Sequence, residues 1–222
     1  MNATSLRIPT SVTRWLAETP AEAPVTVLLR HSARGPLPDG DAANAVPLTT
    51  EGANLACHLG AMLGTRLQAL HVSPLRRCVE TAEALRFGAG INIPIVPDRS
   101  LGDPGIYVTD SGLAQANWEQ LGHERVMRYL VSGTEPLPGM ADPGPAARLL
   151  VRHMMASAGN RSGLHLFVTH DSVVTATAAH LLGEPFERDD WPWYLEGAFF
   201  WLQGTQTATA YRDFCRRVDE AL

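Results

Sequence analysis

Arg30, His31 and Arg34 stand within five residues of one another in the stretch VTVLLRHSARGP, residues 25–36. Guanidinium groups converging on one point repel unless an anion lies between them. Their planar forks match phosphate or carboxylate oxygens two bonds at a time. Neighbouring positive charge also makes an imidazole easier to deprotonate. A neutral imidazole is a competent nucleophile, whereas an imidazolium is not. Such a cluster can therefore hold an oxyanion and attack it. Its competing reading is structural: a strand arginine tied to a carboxylate, beside a surface histidine.

Two further segments carry polar residues in a similar place. Ser73-Pro74 and Arg77 follow the short apolar run 69–72, and Thr169-His170-Asp171 ends the apolar run 164–169. Five apolar or β-branched residues in a row at 25–29 point to a strand buried on both faces, as in parallel sheets. In open α/β sheets, ligands bind beyond the carboxyl ends of such strands. Three strand ends, at Arg30-His31, Ser73 to Arg77 and His170-Asp171, can therefore meet at one edge. Arg77 falls in the first turn of its helix, where free backbone N–H groups also favour an anion.

Helical spacing fills the chain between these strands. The first helix is expected over residues 49–66, with Thr49 as cap, Glu51 in its first turn and Leu55, Leu59, Met62 and Leu63 on one face. A second starts at Ser73-Pro74, read as cap and first helical position, and stops at Gly88. A strand at 93–96 and a Gly/Pro-rich loop at 99–110 follow. Helical patterns return over 112–131, broken near Gly122, again from Pro143 after an Asp142 cap, and from Asp171 to Leu182. Residues 194–202 and 207–214 read as a hairpin around Gly204. Strands alternating with helices argue for an α/β sandwich with the hairpin at one sheet edge.

Composition narrows the function. The chain has 222 residues, enough for a single domain over 1–222, with residues 1–23 as a partly helical extension. Net charge is −5 and no basic run occurs, which argues against nucleic acid as a partner. The chain contains no lysine, which excludes a Walker-type phosphate loop and a Schiff-base lysine. No apolar run approaches a membrane span, and the N-terminus has no apolar signal core, so a cytoplasmic location is expected. Cys57, Cys78 and Cys215 lack C-x-x-C spacing. His58, His71, His123, His153, His165 and His180 form no zinc spacing, so neither a metal nor a cofactor is expected. Trp191 and Trp193 read as packing residues, with pocket lining as the alternative. The loops at 35–47, 99–110 and 133–145 are expected to rim the site.

Taken together, these elements resemble a known family. Arg30-His31-x-x-Arg34-x-Pro36 resembles the R-H-G-x-R-x-P signature of the histidine phosphatase superfamily, which includes acid phosphatases, phytases and the phosphoglycerate mutase group. Leu48-Thr49-x-x-Gly52 and Ser73-Pro74-x-x-Arg77-x-x-x-Thr81-Ala82 resemble two further elements of that superfamily. Thr169-His170-Asp171 resembles the H-D motif of its acid-phosphatase branch. The matches run in the family's order over roughly residues 25–182. The resemblance implies a three-layer α/β/α sandwich with a mostly parallel central sheet. It makes His31 the nucleophile that takes a phosphoryl group, and Arg30, Arg34, Arg77 and His170 the ligands of the phosphate oxygens. Asp171 becomes the acid that protonates the leaving oxygen.

Two departures bear on these roles. Ser32 stands where the signature has glycine, which relieves crowding beside the phosphate. The short chain resembles the mutase-like branch, which places a Glu in a loop where this chain has Leu101-x-Asp103. Asp103 is thus a rival acid, its other reading being a turn residue before Pro104-Gly105. The expected activity is metal-independent hydrolysis of a small phosphorylated metabolite. A phosphoglycerate mutase-type transferase and a non-catalytic phosphate-binding module are the alternatives.

Overall fold

Val25, Val27, Leu28 and Leu29 are each at most 2% exposed, as a strand covered on both faces requires. This strand, β1 (Pro24–Arg30), is the middle member of a seven-stranded sheet in a computed structural model that describes residues 6–38, 40–134 and 137–218. On one side, β4 (Gly163–Thr169), β2 (Leu67–Val72) and β3 (Ile95–Pro97) pair in parallel. On the other, β5 (Gly197–Gln203), β6 (Gln206–Tyr211) and β7 (Phe214–Val218) pair antiparallel, giving the order β3-β2-β4-β1-β5-β6-β7. The sheet is therefore mixed, with a parallel half and an antiparallel half. The expected hairpin is a three-stranded meander. Its last strand, FCRRV, carries exposed Cys215, Arg216 and Arg217, and charge is how edge strands discourage further pairing.

Period-two alternation along β1 divides the core. Leu28 faces a cluster with Phe167 and Phe200 under α4 (Ser111–Ser132), α5 (Pro143–Ala158) and α6 (Asp171–Leu182). Val25, Val27 and Leu29 face the other cluster, under α1 (Thr10–Glu18), α2 (Thr50–Leu63) and α3 (Arg76–Ala89). Each buried leucine or phenylalanine contributes about 1.5–3 kcal/mol, so the two clusters carry most of the stability. Among the described residues, no helix is long and apolar enough to cross a membrane.

Helix ends follow their chemistry. Thr49 accepts from Gly52 N at the start of α2, Asp110 from Leu113 N on α4, and Asp142 from Gly144 N on α5. Gly122 breaks α4 with φ of 76°, the interruption expected there. α3 runs through Gly88 to Ala89, and Gly90 caps it in the left-handed conformation. Parallel register brings Arg30 level with Thr169 and Val72 level with Val168, so three strand ends meet at one edge.

Candidate active site

His31 is the first residue after β1. Its backbone N–H donates to Thr169 O at 2.8 Å, which ties the strand end to β4. Its ring Nδ1 lies 2.7 Å from Ser32 O. A carbonyl only accepts, so Nδ1 carries the proton and Nε2 keeps its lone pair. The side chain is buried, at 3% exposure. Burial pushes its pKa well below the ordinary imidazole value; His170, Arg30 and Arg77 push the same way, against the Ser32 carbonyl. His31 is therefore neutral near pH 7, with Nε2 bare.

The turn after His31 is braced from beneath. Ser32 N donates to Thr81 Oγ1 at 3.0 Å, and that hydroxyl donates to Arg77 O at 2.7 Å. Ser32 Oγ donates to Gly52 O at 2.7 Å, so the side chain turns to α2. Thr49 N donates to Ala33 O at 3.0 Å. A Cβ on Gly52 would stand 2.1 Å from Ala33 O, so only glycine permits this approach. The Leu48-Thr49-x-x-Gly52 element and Thr81 thus act as buttresses of the His31 turn.

Arg77 is 8% exposed and stands at the start of α3. It donates to Ala43 O at 3.0 Å and to His170 Nδ1 at 3.3 Å. An arginine can only donate, so Nδ1 of His170 is bare and its Nε2–H faces Ser73 Oγ at 3.2 Å. Burial, then Arg77, pushes the His170 pKa far down, with Asp171 opposing. The expected role of Ser73 as a helix cap is corrected here. α3 begins at Arg76 with Leu75 as its N-cap, because Ser73 N donates to Val168 O at 2.9 Å and stays in extended chain beside β4.

Arg30 is clamped by Asp171 and by two residues that the sequence reading did not place at the site, Pro192 and Tyr194. Its Nη1 donates to Pro192 O at 2.6 Å, its Nη2 pairs with Asp171 Oδ2 at 3.1 Å, and its guanidinium carbon lies 4.5 Å from the Tyr194 ring centroid. The 191–196 segment is itself pinned by Glu196, 5% exposed, which accepts from Ser11 Oγ, Trp193 N and Arg212 Nη2. One signal was available in the sequence: an isolated carboxylate in the otherwise apolar run before β5. Arg34 donates to Gly35 O at 2.8 Å. The Nε atoms of Arg30, Arg34 and Arg77 are buried with no protein partner among the described residues.

These strand ends open into a cavity of about 700 Å³. His31, Arg34, Arg77, His170 and Asp171 form its floor. Arg30 lies behind the floor, between Asp171 and Tyr194. One wall is α4, through Ser111, Gln115, Trp118, Glu119 and His123. The loop at 35–47 contributes Leu37, Ala43 and Asn44, and the loop at 99–110 contributes Asp103, Pro104 and Val108. The loop at 133–145 reaches only an adjoining smaller pocket, through Met140. Positions 39, 135 and 136 of these loops, like residues 1–5, lie outside the described residues. Trp191 packs half-buried with its ring 5.5 Å from His123, and Trp193, 47% exposed, lines a separate cavity with Arg14 and Asp213.

The family model of the histidine phosphatase superfamily (branch 1) matches residues 27–203. The chain belongs to the histidine phosphatase superfamily. Among solved structures it is similar to a phosphoserine phosphatase mutant from Entamoeba histolytica in complex with phosphoserine, at 14% identity and a TM-score of 0.60, over 86% of this chain and 97% of that one. It is also similar to YhfR of Bacillus stearothermophilus, at 22% identity and a TM-score of 0.57, over 85% and 96%. A third is mycobacterial glucosyl-3-phosphoglycerate phosphatase in complex with VO3, at 21% identity and a TM-score of 0.53, over 88% and 98%. The likeness to these proteins is one of fold. No curated protein matches the chain.

Of the three carboxyl groups that line the cavity of this histidine phosphatase superfamily member, Asp103, Glu119 and Asp171, the two aspartates sit in unlike settings. Burial raises the pKa of Asp171, but Arg30, then His123 and His170, and the Ser172 N–H outweigh it and hold the group below the ordinary carboxylate range. Asp171 is thus an ionised partner of Arg30. Asp103 is freer: its side chain is 48% exposed, with Arg99 at 3.5 Å. It sits at φ of 59°, a region aspartate tolerates better than most residues. Gly102 before it packs on the floor, where a Cβ would stand 2.9 Å from His170 Nε2.

Proposed function

We propose that the protein hydrolyses phosphomonoesters through a covalent phosphohistidine on His31. The observation that carries this reading is the His31 side chain: buried, neutral, with Nδ1–H fixed on Ser32 O and Nε2 free at a floor of arginines. Nε2 attacks phosphorus, the N–P bond forms as the ester P–O bond breaks, and the alcohol leaves with a proton. Water then attacks the phosphohistidine, the N–P bond breaks, and inorganic phosphate departs. Phosphoryl transition states spread charge over the equatorial oxygens, so fixed positive groups supply much of the catalysis. Arg34 and Arg77 face that charge, beside His170 at the floor, and Arg30 reaches it from behind Asp171. Their charge takes the place that a metal fills in other phosphatases.

The ion pair of Asp171 with Arg30 favours Asp103 as the proton donor to the leaving oxygen, and as the base toward water in the second step. Arg30 holds Asp171 ionised at 3.1 Å between largely buried side chains, whereas Arg99 approaches Asp103 only to 3.5 Å at the surface, where solvent screens the pair. Ser32, the departure that left room for a non-catalytic module, turns away from His31 and leaves the attack line clear.

Release of nitrophenolate from p-nitrophenyl phosphate tests the reading. Turnover should persist in excess EDTA and fall with vanadate, which mimics five-coordinate phosphorus. Loss of turnover on chelation, with recovery on adding one divalent ion, would overturn it.

A further inference from the structure

We infer that the α4 wall selects phosphomonoesters whose leaving alcohol is uncharged and hydroxylated, and disfavours one that carries a second anion; the inference rests on the phosphomonoesterase reading above. The arginines that line the cavity, Arg34 and Arg77, both belong to its floor. Among the described residues, no arginine lines the wall, and the chain has no lysine to supply. Arg99, near the mouth, is engaged with Asp103 at 3.5 Å. His123, at the far end of the wall, lies where it offsets the charge of Asp171.

What faces the leaving group is a set of hydrogen-bonding groups around one carboxylate. Ser111, Gln115 and Glu119 recur every four residues, so one face of α4 presents them to the cavity. Gln115 Nε2 donates to Glu119 Oε1 at 2.9 Å, which steadies the carboxylate and uses an amide donor. The pair is left with one amide N–H and with its amide and carboxylate oxygens, the last of which carry the wall's negative charge. Hydroxyl groups can donate to them; a carboxylate or second phosphate can only accept, and like charge repels. Trp118 adds an apolar flat surface beside these oxygens, steadied by its stack on His123 at 5.4 Å. Across the cavity, Asn44 supplies an amide and Leu37 an apolar side. Hydroxyls beside a carbon skeleton fit that wall. A transferase moving phosphate between two hydroxyls of an anionic substrate would need cations at both ends, and among the described residues the wall provides no arginine or lysine for the far end.

Glycerol 3-phosphate and 3-phosphoglycerate test this directly, because they differ only in a hydroxymethyl against a carboxylate at the far carbon. In the wild-type protein at low ionic strength, kcat/KM should favour glycerol 3-phosphate by about tenfold or more, equivalent to about 1.4 kcal/mol. Glu119→Arg should shrink that ratio by about fivefold or more through faster 3-phosphoglycerate turnover, at a salt-sensitive margin. Glu119→Gln should fall between. A wild-type ratio at or below one, or a ratio untouched by Glu119→Arg, overturns the inference. Turnover of p-nitrophenyl phosphate by the same preparation separates the two failures. With that activity present, an adverse ratio defeats only the leaving-group assignment; with it absent, the phosphomonoesterase reading falls and carries this inference with it.

Discussion

The two aspartates at the cavity make opposite demands on substitution. Replacing Asp171 with asparagine removes a charge 3.1 Å from Arg30 Nη2, between side chains that are 13% and 24% exposed. At an effective dielectric of about 20 that pair is worth about 5 kcal/mol of Coulomb energy before desolvation is subtracted. Arg30 keeps Pro192 O and the face of Tyr194. The expected net loss of stability is thus about 3 kcal/mol, the low end for breaking a buried pair. Catalysis should fall because Arg30 shifts, and a misplaced phosphate-facing charge slows every substrate alike. Asp103→Asn should behave differently. General acid catalysis contributes about 10²–10⁴ where the leaving oxygen is basic and little where it is already stable. With Asp103 as the acid, its asparagine variant should lose about 10²-fold or more in kcat/KM on an alkyl phosphate. On p-nitrophenyl phosphate the loss should be only severalfold. Asp171→Asn should slow both substrates by similar factors, measured well below its melting temperature. Leaving-group dependence in Asp171→Asn and not in Asp103→Asn would refute the reasoning and return the acid to Asp171.

Stability should also depend on pH through the site imidazoles of His31 and His170, with His71, His165 and His180, which burial also pushes down, adding in the same direction. Folding holds His31 and His170 below the ordinary value of about 6.5. The unfolded chain therefore binds protons that the folded one does not. Stability is complete above about pH 6.5 and declines as pH falls below it, by up to about 1.4 kcal/mol per pH unit for each histidine. Urea titrations between about pH 7.5 and 5 should show that slope, and His170→Asn should flatten it; an unchanged slope contradicts the neutral assignment. Gly52→Ala should cost about 3 kcal/mol in urea melts, since its Cβ meets backbone rather than a movable side chain. Ser32→Gly should cost about 1–2 kcal/mol, through the lost bond to Gly52 O and added chain entropy. Tyr194→Leu removes the ring under Arg30 and should lower kcat/KM by about 3- to 30-fold, while Tyr194→Phe restores most of it.

The parallel half of this fold was legible because its strands are buried on both faces. The apolar runs ending in Arg30-His31 and Thr169-His170-Asp171 have no other comfortable reading, and their register brings His31, Arg77 and His170 to one edge. The last strand was not legible, because FCRRV carries two arginines in five residues, as an edge strand can, and local pattern cannot tell it from a loop. Ser73 misled for a similar reason: Ser-Pro before a helical pattern is a good cap signal, yet the bond to Val168 O comes from a strand far away in sequence. The α4 wall and the Tyr194 clamp were missed because their residues read as ordinary surface and packing positions. Only the tertiary fold turns Gln115 and Glu119 inward, or sets Tyr194 under Arg30.

The central claim is that His31 becomes phosphorylated, and rapid-quench trapping measures that step. Wild-type protein mixed with a radioactive phosphomonoester and quenched in alkali should retain label on one site per chain. The label should be stable to base and labile to acid, as a phosphoramidate is, and peptide mapping should place it on His31. His31→Ala should retain none and lose turnover by several orders of magnitude, with its melting transition still cooperative. Label on another residue, or full turnover by His31→Ala, would contradict the account.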